Sequence, residues 1–215
     1  MLKTTLLSLL FASACAFSAN AHQMWLERGE AGQVRAYLGE AIDEPDTGEA
    51  IAKLTATTEL FTNDRKAPAT LVAKDDHLVA TVTGAGDVHL YNDQVWAPWK
   101  LDDGTYQAAA FQARAGRTET AAVFDLELVP VAAGSDTFTL MFKGHPLADT
   151  NVKVVNPDIW QKTFRTDAEG RITVPAREKG QFVLVAEHEE KGEHIIAGQT
   201  VGSLIHIAST SFVVQ

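Results

Sequence analysis

Ala19-Asn20-Ala21-His22 ends an apolar leader with the A-x-A pattern of a secretory cleavage site. Cleavage after Ala21 leaves His22 as the first residue of the mature chain. A residue-one histidine offers two nitrogens to a single ion, its free α-amine and its ring Nδ1, and both can close on it as one chelate. The amine must shed a proton to bind. Its reference pKa is about 7.7–8.0, so protons compete only mildly near neutrality. Where thiolate is absent, imidazole nitrogen suits a borderline divalent ion such as nickel, copper or zinc. Processing itself would then make the metal site.

Further ligands must come from elsewhere in the chain. His188 follows the apolar run Phe182 to Ala186 where the sequence turns acidic. A side chain at such a strand end can leave the core and face a site, or it can simply be solvated. His206 interrupts the apolar run Leu204-Ile205-His206-Ile207-Ala208. There it is hydrogen-bonded, metal-bound or on a wet face. His89 reads as a surface strand residue with Val88 and Leu90 facing the other way, and is a lesser candidate ligand. His77 and His194 sit in charged loops and His145 in a turn, although His188 and His194 could share a loosely held site. Met24 is a soft thioether or a core residue, and Trp25 an apolar lid or a buried ring. Trp96 and Trp99 form an aromatic loop, for packing or for a sugar or partner. The acidic run Glu40 to Glu49 lacks the alternate oxygen ligands of a calcium loop and reads as solvated. No nucleophile elbow, phosphate loop or dinucleotide fingerprint is present.

The elements that must position these residues are strands. Short apolar or alternating runs, separated by Gly, Asp, Asn and Pro, recur from Val34 to Val214. Among them are Val34 to Leu38, Leu54 to Phe61, Val88 to Trp96, Tyr106 to Ala113, Phe124 to Val131, Phe138 to Phe142, Phe182 to Ala186 and Leu204 to Val214. No segment carries a sustained helical period with caps at both ends. The turn spacing predicts an all-β chain of two antiparallel β-sandwich domains. Small and turn-forming residues at Val131 to Asp136 place the boundary, giving a signal peptide over 1–21, a first sandwich over 22–133 and a second over 134–215.

Lys3, the run Leu6 to Ala12 and the small residues before the cut compose the signal peptide. Its apolar run is too short for a membrane span. Rival cuts exist, one after Ala16 and a lipoprotein cut before Cys15. With the cut after Ala21 the one cysteine, Cys15, departs with the leader, which excludes disulfides and thiolate sites. The formal charge of −10 becomes one unit more negative when Lys3 is lost. Such acidity disfavours nucleic acid and anionic lipid and favours cations.

His22-Gln23-Met24-Trp25-Leu26-Glu27, directly after a signal peptide, resembles the start of a family of secreted bacterial proteins described as the periplasmic component of nickel or cobalt uptake systems. Leu126 to Pro130 resembles that family's inter-domain strand. Gly144 to Ala148 and Thr166 to Arg171 resemble its turn motifs, and Gly180 to Glu189 its strand ending in histidine. The resemblance covers most of the mature chain but not Ala41 to Asn92. It implies an Ig-like, carboxypeptidase-regulatory-type second domain, marks His188 as a site residue and adds a membrane transport complex as partner.

The expectation is a periplasmic or secreted metal-binding protein with no transmembrane segment in the mature chain. It holds nickel, cobalt or copper through His22, His188 and His206 and passes the ion on, without catalysis. One alternative is a copper-dependent redox enzyme built on the same N-terminal histidine. Another is a metal-free interaction module.

Overall fold

A computed structural model of the chain describes residues 22–62 and 64–215. The expected signal peptide and its cut lie outside the described residues. In chain order the elements are β1 Gln23–Arg28, β2 Gln33–Gly39, α1 Glu49–Leu54, β3 Glu59–Phe61, β4 Val72–Ala73, β5 Leu78–Thr81, β6 Val88–Asn92, β7 Trp99–Lys100 and β8 Tyr106–Ala115. They continue with β9 Leu126–Pro130, β10 Thr137–Phe142, β11 His145–Pro146, β12 Asn151–Val155, β13 Gln161–Arg165, β14 Arg171–Thr173, β15 Gly180–Ile196 and β16 Gln199–Val214. The described residues are all-β apart from α1 and one turn of 3-10 helix at Glu30–Gly32. Among the described residues no helix is long and apolar enough to cross a membrane.

One sheet organises the rest. It runs β13-β12-β15-β16-β8-β6-β3, with β7 beside β8. A sheet ordered β1-β2-β5-β4 covers one face, and a sheet of β11, β10, β14 and β9 covers the other. Side-chain alternation along β8 and β16 separates the two cores. Phe111, Ala113 and Ile207 pack with Met24, Leu26 and Val34 on the first face. Ala208 and Phe212 pack with Leu126, Leu128, Phe138 and Leu184 on the second. Two sandwiches therefore share a sheet.

A strand covered on both faces must satisfy any polar side chain internally. β16 does this with hydroxyls. Ser209 and Ser211 donate to the Met24 and Leu26 carbonyls on one side. Thr210 donates to the Leu128 carbonyl at 2.9 Å on the other.

The strand pairing differs from the expected partition at residue 133. Val131 to Asp136 is the loop of a hairpin, because β9 pairs antiparallel with β10 and Val131 N–H donates to the Thr137 carbonyl at 3.0 Å. The small residues that suit a linker suit a hairpin turn equally well. β16 also lies parallel to β8, Ser203 beside Gln107 through Ser211 beside Ala115. This joins the two halves through backbone hydrogen bonds, and the chain crosses between them over residues 116–125.

Two local readings also shift. Leu54 to Phe61 is not one strand. It splits between the end of α1 and β3, and Ile51 and Leu54 bury one side of a helix too short to show a period. β15 and β16 extend beyond the apolar runs into a long hairpin, closed by Ala197 and Gly198 at φ 49° and 78°. Both signs match the type I′ turn that fits the twist of paired strands. Alanine carries a steric cost there that asparagine reduces. Ala197→Asn is expected to raise the unfolding free energy by about 1 kcal/mol, read as a higher urea midpoint with unchanged slope. A lower midpoint would contradict the turn.

Candidate functional site

His188 and His206 are directly opposed on β15 and β16. Both rings meet Phe142, at 4.3 Å and 5.4 Å between centroids. His206 is buried, and both its nitrogens are engaged. Gln112 Nε2 stands 3.1 Å from Nδ1, and Glu190 Oε2 stands 3.1 Å from Nε2. Glu190 also accepts from Lys143. Asp125 completes a group whose ligand atoms, one each from Asp125, Glu190 and His206, lie within 4.8 Å of one another. Asp125 carries no signal in the sequence, because a lone carboxylate before a strand looks like any other loop residue.

Burial pushes the His206 imidazole below its usual range, against the opposing pull of Glu190. Burial raises the Glu190 carboxyl, but donation from Lys143 and His206 outweighs that and leaves it below its ordinary value.

His22 stands elsewhere. Its Nε2 lies 3.4 Å from Asp46 Oδ1, and its ring meets the edge of Trp96 at 5.8 Å. Trp96 in turn sits edge-on to Phe111 at 5.1 Å. Asp46 is positioned by its own backbone, whose N–H donates to the Leu38 carbonyl on β2 at 2.8 Å. The acidic run thus supplies one carboxylate aimed at the histidine. Trp25 is no lid over His22. It stacks on Tyr37 and packs against Val155, Val183 and Val185. The Trp96–Trp99 loop is partly packing, since Trp96 rests on Phe111 and keeps 37% of its surface exposed.

These positions correct the expected ligand set. His22 belongs with Phe111 and Ile207 on one face of the shared sheet. His188 and His206 belong with Phe142 and Ala208 on the other. Side chains on opposite faces of a strand diverge, so no single ion reaches all three histidines.

His89 is not the surface residue that its alternation with Val88 and Leu90 predicts. It is fully buried, beside Arg114 on β8. Arg114 Nε lies 3.0 Å from Asp87 Oδ2, Nη1 3.3 Å from Glu127 Oε1, and Nη2 donates to the Glu119 carbonyl at 3.0 Å. Nε and Nη1 are not aligned for hydrogen bonds, so they hold by charge. Asp87 in turn accepts from the Thr118 hydroxyl at 2.6 Å and the Thr118 N–H at 3.0 Å. His89 Nε2 faces Glu119 Oε2 at 3.2 Å, under the rings of Phe61 and Phe124. The cluster is structural. It ties the crossing segment to β6, β8 and β9.

No protein-family model and no curated protein matches the chain. The solved structure of the Bacteroides ovatus mixed-linkage glucan utilization locus protein SGBP-B, in complex with a mixed-linkage heptasaccharide, aligns with 86% of this chain at 11% identity and a TM-score of 0.17. This chain spans 46% of that one. A likeness at that level carries no argument about fold or ligand.

Two outcomes are expected. Arg114→Met leaves Asp87 and Glu127 buried without their cation, and should cost about 3–5 kcal/mol by urea denaturation. A loss below about 1 kcal/mol would show the cluster to be incidental. The second concerns pH. Folded His206 and Glu190 both hold protons less readily than their unfolded counterparts, whose pKa values are about 6.5 and 4.3. Their contribution is complete above those values and lost as pH falls through the lower folded ones. The urea midpoint should drop on acidification below about pH 6.5, and His206→Gln should flatten the upper part of that drop. An unchanged profile in His206→Gln would remove His206 from the acid response.

Proposed function

We propose that the protein is a periplasmic binding protein for a divalent transition ion, which it captures at His22 and passes to an uptake or handling system. Capture follows cleavage after Ala21, when the α-amine becomes free beside the ring. One observation carries this reading, the approach of His22 Nε2 to Asp46 Oδ1 at 3.4 Å. Metal-bound histidines characteristically present their second nitrogen to a carboxylate, which sets the tautomer and raises ligand basicity. With Nε2 beside the Asp46 carboxylate, Nδ1 is the ring nitrogen left to pair with the amine. That is the one a chelate needs.

Trp96 supports the same reading by holding the ring edge-on and shielding one side of it. Nickel and cobalt, and delivery to a transporter, come from the family resemblance of the N-terminal motif. Copper comes from its place at the top of the affinity order for nitrogen ligands. The copper-dependent redox alternative needs a substrate surface, and its one candidate, the Trp96–Trp99 loop, is partly spent on Phe111.

Calorimetric titration with Ni2+ and Cu2+ tests the proposal on four proteins. These are the chain beginning at His22, the same chain with one extra residue before His22, Asp46→Ala and His188→Ala. The extra residue should weaken binding by more than about tenfold, because it removes the amine from the chelate. Asp46→Ala should weaken it by about 10–100-fold. His188→Ala should leave it unchanged. Equal affinity with and without the extra residue would refute capture at His22.

A further inference from the structure

We infer that Gln112 locks His206 in the tautomer that cannot ligate a metal through Nε2, so that Glu190 and His206, beside Asp125, form a hydrogen-bonded clamp rather than a metal site and Gln112 confines metal capture to His22. The chain of reasoning starts at a backbone amide. Leu126 N–H, at the start of β9, donates to Gln112 Oε1 at 3.0 Å. An N–H can only donate, so the oxygen of the Gln112 amide must face it. The amide nitrogen is therefore the end that faces His206 Nδ1, at 3.1 Å. An amide NH2 has no lone pair to offer. Nδ1 must accept, and it carries no proton. In a neutral imidazole the proton then sits on Nε2, where it donates to Glu190 Oε2 at 3.1 Å.

A metal held at Nε2 of a neutral imidazole requires the opposite arrangement, with the proton on Nδ1 and an acceptor beyond it. Gln112 meets that proton with its own hydrogens. Turning the amide over would face NH2 to Leu126 N–H instead, leaving a buried donor without an acceptor. Gln112 is itself buried, so water cannot relieve either arrangement. Lys143 adds to the exclusion by placing an ammonium on Glu190, at the carboxylate an ion would need. The contrast with His22 is direct. There the second nitrogen lies 3.4 Å from a carboxylate, a group that carries no hydrogen to oppose a ring N–H.

The restriction of binding to His22 rests on the proposed capture there, whereas the tautomer of His206 does not. Two measurements separate the claims. Long-range proton–nitrogen NMR on the wild-type chain beginning at His22 should show His206 Nδ1 bare and Nε2 protonated. Addition of Zn2+ should shift the His22 ring and leave the His206 resonances in place. A protonated Nδ1, or a His206 ring that responds to Zn2+, would overturn the lock. A His22 ring that ignores Zn2+ would overturn capture at His22 while the tautomer signal still stands.

Gln112→Glu supplies the complementary test. Its carboxylate can accept from both Leu126 N–H and His206 Nδ1–H, which frees Nε2 to face Glu190 and Asp125. This variant should take up a second Zn2+ in calorimetry, lost again in Gln112→Glu/His206→Ala. A folded Gln112→Glu protein that gains no second ion would refute the role of Gln112. If the variant does not fold, the wild-type tautomer decides.

Discussion

Arg114 sits fully buried where the two halves of the chain meet, and much of the architecture is an answer to its charge. A buried guanidinium without partners would be intolerable, and one with partners draws them into fixed places. Asp87 approaches from the entry to β6 and Glu127 from β9, while the carbonyls of Glu119 and Ala121 come from the segment between. Asp87 then holds the Thr118 backbone and hydroxyl, and Glu127 takes the N–H groups of Val123 and Phe124. The crossing segment is thus wrapped around one cation. Gly116 sits at φ 122° with its missing Cβ position 2.2 Å from Asp87 Oδ1, so only glycine lets the chain turn against the carboxylate.

That anchoring has consequences for the chemistry. It fixes β9, whose first amide orients Gln112, and through Gln112 the proton of His206. It also presents Asp125 beside Glu190. On the other face, the same β8 strand carries Phe111, which supports Trp96 and through it the ring of His22. The two histidine environments stand on opposite sides of one strand. They differ in what meets the second nitrogen, an amide donor at His206 and a carboxylate at His22. Ligand type alone does not distinguish these imidazoles. The group beyond the ring does.

The sequence made the strands legible where one face is apolar and turns punctuate the run, as at Val34 to Leu38 or Phe138 to Phe142. It failed where both faces of a strand are covered. His89 alternates with Val88 and Leu90, which reads as polar-out, yet its outward face is buried under Phe61 and Phe124. His206 is the same case, and its alternation with Ile205 and Ile207 is real although neither side is wet. The parallel pairing of β8 with β16 joins residues about a hundred positions apart and leaves no local trace. Val131 to Asp136 misled because a hairpin loop and a linker draw on the same residues. Of the site, His22 was legible from the cleavage motif and Asp46 only as a member of an acidic run. The opposition of His188 to His206 leaves no trace in the sequence, since alternation within one strand does not specify its partner across the ladder.

Metal capture at His22 is tested most directly by anomalous diffraction from crystals of the chain beginning at His22, grown with Ni2+. The predicted result is a peak at the α-amine and Nδ1 of His22, with Asp46 on Nε2 and none beside His206. A peak among Asp125, Glu190 and His206, with His22 bare, would contradict both the capture site and the role given to Gln112.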